Sequence, residues 1–92
     1  MKKIIYKKSF VKPFDNQIYY ISKDSIFYAK RFKRQLISKI KEISKNPLIY
    51  RQSIYFEDDS IRDLIFKGYI VVFRINKDTI EVFGFVKYRQ KL

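Results

Sequence analysis

Two apolar runs near the C-terminus, GYIVVFRI (68–75) and TIEVFGFVK (79–87), constrain this chain most. Only Asn76-Lys77-Asp78 separates them, so they join as an antiparallel hairpin. In an extended strand, Tyr69, Val71, Phe73 and Ile75 share one face while Ile70, Val72 and Arg74 share the other. A strand that is apolar on both faces belongs inside a sheet rather than at its edge. In the following run the period of two puts Ile80, Val82, Gly84 and Val86 opposite Glu81, Phe83, Phe85 and Lys87. The run IRDLIFK (61–67) supplies a further strand.

The remainder reads mostly as helix. Asp24 or Ser25 can cap a long helix in which Ile26, Ala29, Phe32, Leu36, Ile40 and Ile43 recur at helical spacing. Its opposite face carries Lys30, Arg31, Lys33, Arg34, Lys39 and Lys41. Asn46-Pro47 stops it, because the residue before proline is pushed out of the helical region. A shorter helix is expected from Phe14 onward on the stripe Phe14, Ile18 and Ile21, with Asp15 or Asn16 in its first turn. Ile4 to Phe10 is expected as a first strand, broken by Pro13. Residues 48–60 form a mixed connection whose Glu57-Asp58-Asp59 cluster reads as a polar turn, with ligation of a hard cation the sharper alternative.

The expected order is therefore β-α-α-β-β-β, an α+β fold with two helices over one face of a small, mainly antiparallel twisted sheet. The other face is left for a partner. With 92 residues and no linker or repeat, residues 1–92 are expected as a single domain. No apolar run approaches the roughly 20 residues that span a bilayer, and Lys7 and Lys8 interrupt any signal-peptide core. A soluble, cytoplasmic protein is expected, with no membrane partner.

The chain has neither Cys nor His, which excludes thiolate and imidazole metal sites, disulfides and a Ser-His-Asp triad. Any catalysis rests on Lys, Arg, Tyr, Asp or Glu. No metal or cofactor is expected. A net charge of +12 points to a polyanion or an acidic protein as partner.

These residues in this order resemble the RelE/ParE superfamily of bacterial type II toxins. The resemblance is carried by Asn46-Pro47 closing the long helix, Arg51 shortly after, and the strand Ile61-Arg62-Asp63-Leu64. It continues through Gly68 to Ile75 with its Tyr69, Phe73 and Arg74, then Ile80-Glu81-Val82 and the basic ending Lys87-Tyr88-Arg89. The resemblance implies a toxin silenced by a small acidic antitoxin, and Arg51, Arg62, Arg74, Lys87, Tyr88 and Arg89 as target-binding residues.

Two chemistries follow from that resemblance. A ParE-like toxin inhibits DNA gyrase by binding. A RelE-like toxin cuts mRNA in the ribosome, which here would fall to Arg62, Lys87, Tyr88 and Arg89 converging on one phosphate. RelE places two alternating lysines before its strand arginine, where this chain has Asp58, Asp59, Ser60, Ile61 and Arg62. It also has Ile70 where RelE has an arginine, and it lacks the histidine of other nuclease members. These departures favour the gyrase reading. Outside the toxin class, the lysine face of the long helix suits a non-specific nucleic-acid-binding module. Each singled-out residue also has a plainer role: Arg62 in an ion pair with Asp63 or Glu57, Tyr69 and Phe73 in the core, and the strand-end charges in solvent.

Overall fold

The computed structural model describes residues 2–88. In chain order these form β1 (Lys3–Tyr6), α1 (Lys8–Ser22), α2 (Ile26–Ile43), a 3-10 turn (Pro47–Ile49), β2 (Arg51–Gln52), β3 (Ile61–Phe66), β4 (Tyr69–Ile75) and β5 (Thr79–Lys87). The strands make one sheet in the order β1-β5-β4-β3-β2. β1 runs parallel to β5, and the other pairings are antiparallel. The α+β architecture is the expected one, with β2 added from the connection after the long helix.

The helices cover one face of the sheet. Phe10 and Phe14 of α1, with Phe32, Leu36, Ile40 and Ile43 of α2, pack against Leu64, Val71, Phe73, Ile80, Val82 and Phe85. Ser25 caps α2, its hydroxyl oxygen accepting a hydrogen bond from the Tyr28 N–H at 3.0 Å. Ile26, expected on the buried stripe, is instead 64% exposed. It lies in the first turn, beyond the sheet's reach.

The start of α1 differs from expectation. β1 ends at Tyr6, and the helix begins at Lys8, so Phe10 belongs to the helix and Pro13 lies inside it. Asp15 and Asn16 fall in mid-helix, exposed, rather than in a first turn. A proline inside a helix costs roughly 3 kcal/mol. Burying two phenylalanines contributes roughly 3–6 kcal/mol, and the rings of Phe10 and Phe14 also stack at 5.1 Å, with Phe14 edge-on to Phe85 at 5.3 Å. Packing outweighs the local penalty, and the helix runs through Pro13.

β5 carries a second correction. Val72 pairs with Gly84 but Phe73 pairs with Val82, so Phe83 is an extra residue in a β-bulge. The bulge reverses the alternation beyond it. Ile80 and Val82 face the helices, and so do Phe85 and Lys87, while Phe83 and Val86 point to the far face.

The far face is also partly covered. Ile61, Ile70 and Val72 form a second apolar cluster under Tyr55 and Phe56, which the 53–60 segment folds across the sheet. Phe56 meets Phe83 edge-on at 5.7 Å.

β3 and β4 are joined by a two-residue turn at Lys67-Gly68, with φ of 47° and 83°. Two positive φ values mark the primed turn that suits a twisted hairpin. Glycine adopts this backbone freely, but lysine pays about 1–2 kcal/mol there. Lys67→Asn, a residue tolerant of that region, is expected to raise stability by about 1 kcal/mol and the melting temperature by about 4–8 °C, read by thermal circular dichroism. An unchanged or lowered melting temperature would count against strain at Lys67.

Candidate functional site

Pairing of β2 with β3 sets Arg51 opposite Asp63 on the far face. Asp63 is 2% exposed, and its Oδ2 accepts from Arg51 Nη2 at 3.2 Å and from the Ile54 N–H at 3.1 Å. Its Oδ1 is buried with no hydrogen-bond partner among the described residues. Arg51 itself is exposed, so a buried carboxylate anchors a cation at the sheet surface.

Two rungs along, Arg74 projects from β4 on the same face, its guanidinium 5.8 Å from the Phe83 ring. With Lys7, Glu81 and Phe83 it lines a small cleft of about 140 Å³. Glu81 accepts from Asn76 Nδ2 at 2.8 Å and lies 3.7 Å from Lys7 Nζ. The Asn76 amide, ahead of Lys7 and Arg74, holds the Glu81 carboxyl below its usual range. At the other end of this face, burial pushes the Tyr55 phenol up, with Asp63 adding and Arg51 opposing.

The sequence-derived residues divide between two surfaces. Arg51, Arg74 and Tyr88 lie on or beside the far face, and the Tyr88 N–H donates to the Gly68 carbonyl at 2.7 Å. Lys87 turns the other way, its ammonium 5.8 Å from the Tyr20 ring of α1. Arg62 also faces the helix side and is locked in place. It donates to the carbonyls of Asp59 at 2.7 Å, Tyr50 at 2.9 Å and Leu48 at 3.3 Å, and pairs with the Asp59 carboxylate at 3.2 Å. The anticipated ion pair with Asp63 or Glu57 is not formed, because adjacent strand residues point to opposite faces and Asp63 serves Arg51. Arg62 pairs across from Phe73 and Lys87 from Tyr69. That places them four residues along and two strands across, about 16 Å apart. Arg89 lies outside the described residues.

Two of the three acids of the run are occupied locally. Asp58 Oδ1 accepts from the Ser60 N–H at 2.9 Å and hydroxyl at 2.7 Å, closing the turn, while Asp59 holds Arg62. Tyr69 is a half-buried aromatic packed against the core, stacked on Phe85 at 5.0 Å and hydrogen-bonded to Gln17 at 2.7 Å.

Over residues 4–92 the sequence matches the family described as ParE toxin of type II toxin-antitoxin system, parDE. The chain belongs to the ParE toxin family. Its fold is similar to that of the chromosomal ParDE TA system from P. aeruginosa, with a TM-score of 0.77 and 12% identity, covering 97% of this chain and 98% of that one. At that identity the likeness is one of fold. No curated protein matches the chain. Membership of a ParE family makes this a ParE-like member of the RelE/ParE superfamily and implies an antitoxin partner. Among the described residues no helix is long and apolar enough to cross a membrane.

Sequence reasoning missed two features of this ParE-family chain. Asp63 was available as a signal, being an acid flanked by Ile61, Leu64 and Ile65 inside a strand. The other is a patch at the α1–α2 connection, where Tyr19, Tyr20, Ile26, Phe27 and Tyr28 are all exposed. Cations stack on it: Lys23 on Tyr19 at 5.1 Å and Arg31 on Tyr28 at 5.4 Å.

Arg51→Ala strands a buried carboxylate and is expected to cost about 2 kcal/mol in urea unfolding. Adding Asp63→Leu should recover roughly half of that, since an apolar side chain there needs no counter-ion. A second loss on top of the first would show that the pair is not coupled. Because the folded-state Glu81 pKa is lowered, its contribution is present above the ordinary value of 4.5 and is lost as pH falls through the folded value. Glu81→Gln should flatten the decline of melting temperature in that acid window, and an unchanged decline would contradict it.

Proposed function

We propose that this chain is a single-domain toxin that arrests growth in the cytoplasm by binding DNA gyrase, and that a small acidic antitoxin silences it. The observation that supports binding over cleavage is the separation of its cations. Cleavage of a phosphodiester by its 2′-hydroxyl needs acid, base and charge-stabilising groups around one phosphate. Arg62 is engaged by three carbonyls and a carboxylate, and lies about 16 Å from Lys87 on the sheet lattice. Arg51 and Arg74, with Tyr88, instead spread over the far face, a layout that fits an extended anionic partner surface. Lys87, on the helix side of β5, belongs to the proposed target-binding set as well, together with Arg89, which lies outside the described residues.

The aromatic patch at the helical connection supports a separate seat for the antitoxin. Large exposed aromatics with cations stacked on them provide the anchors that protein interfaces use. The net charge of +12 favours an acidic partner there.

Purified protein is expected to inhibit gyrase supercoiling and to leave ribosome-bound mRNA intact. Codon-specific mRNA fragments would reverse the choice in favour of a ribosome-dependent endoribonuclease. Arg74→Ala and Lys87→Ala should weaken gyrase inhibition while the protein stays folded, with the melting temperature lowered by no more than about 4–8 °C, because exposed charges contribute at most about 1 kcal/mol. Phe27→Asp is expected to keep toxicity while losing rescue by the co-expressed antitoxin. Full rescue of that variant would move the antitoxin elsewhere.

A further inference from the structure

The sheet site and the aromatic patch leave the outward side of α2 unused. Lys30, Arg34 and Lys41 fall at i, i+4 and i+11, one line along the exposed surface of the helix. Beside that line, a cleft of about 450 Å³ opens between α2 and the β3–β4 turn, lined by Arg34, Gln35, Ser38, Lys39, Phe66 and Lys67. Three of those six side chains are cations and none is an acid. Glu42, the one acid of α2, lies 3.7 Å from Lys39.

The turn that closes the cleft is built at a cost. Lys67 holds a left-handed backbone, where asparagine or glycine is the easier choice. Held that way, its ammonium reaches Gln35 Oε1 at 2.8 Å and lies 5.4 Å from the Phe66 ring. With the Gln35 carbonyl oxygen taken, the amide N–H₂ is left to donate into the cleft alongside the Ser38 hydroxyl. A strained residue that positions a charge is the pattern found at binding sites.

We propose that this cleft and the cation line beside it bind the phosphate backbone of a nucleic acid, without reading its sequence. The alternative occupant, an acidic protein segment, fits less well. Protein interfaces rely on desolvated apolar anchors, and the only apolar lining residue here, Phe66, lies under the Lys67 ammonium. Phosphate contacts need only what is present, namely Arg, Lys, an amide and a hydroxyl. The inference is independent of gyrase as target, and its test contains no gyrase.

The test is fluorescence anisotropy with a labelled mixed-sequence DNA strand of about 20 nucleotides and its duplex, across a salt series. Arg34→Gln, Lys39→Gln and Lys67→Asn are combined in one variant. A control combines Lys3→Gln, Lys12→Gln and Lys77→Gln, exposed cations outside the cleft and the α2 line, so both variants lose equal charge. The cleft variant is expected to bind about tenfold or more weaker at low salt, with the slope of log K against log salt shallower by about two. The control should stay within about twofold of the parent, with circular dichroism confirming that both are folded. Equal losses in both variants would reduce the effect to bulk charge and overturn the proposal. So would absence of DNA binding at low salt, or displacement of the DNA by polyglutamate at matched charge.

Discussion

Strand β4 buries side chains on both of its faces, and the rest of the architecture answers that requirement. Ile70, Val71, Val72 and Phe73 are all fully buried in succession. No single layer can cover both directions in which they point. The helices take one side, where Val71 and Phe73 meet Phe32, Leu36 and Ile40. The other side falls to the 53–60 segment, which brings Tyr55 and Phe56 over Ile70 and Val72. A connection that looks like filler between helix and sheet is therefore a second lid on the core.

That lid must be tied down, and polar contacts do it. Arg62 grips the segment from one side through backbone carbonyls at both ends of the connection. Asp63 grips it from the other side through the Ile54 N–H and Arg51. The two neighbours in sequence divide the work because a strand sends them to opposite faces. A buried carboxylate is tolerated only with such partners. In consequence the site face receives an arginine whose position is set from beneath. Among the described residues, positive charge accordingly includes groups on the far face of the sheet, at the aromatic helical connection and on the outward side of α2.

Much of this was legible in the chain. The long helix announced most of its buried stripe, a cap at Asp24 or Ser25 and its stop, since 3.6-residue periodicity and capping are local properties. The hairpin of β4 and β5 was equally local. Less legible was anything that depended on one element meeting another. Pro13 reads as a break by its own chemistry, yet the stacking of Phe10, Phe14 and Phe85 carries the helix through it. The bulge at Phe83 leaves no mark in an alternating apolar run, so the face assigned to Phe85 and Lys87 came out reversed. Of the candidate site, the residue types were visible, but their division between two faces was not.

Composition and periodicity by themselves determined an α+β chain with a doubly buried central strand, a basic long helix, and no imidazole or thiol chemistry. Those properties follow from residue types and from spacing along one segment. Only the tertiary structure decided which cations stand together, because that depends on strand register, on one bulge, and on which carbonyls or carboxylates claim each side chain first. Arg51, Arg62 and Arg74 are alike as residues. Register, together with the partners it supplies, makes one an anchored surface charge, one a structural clamp and one the edge of a cleft.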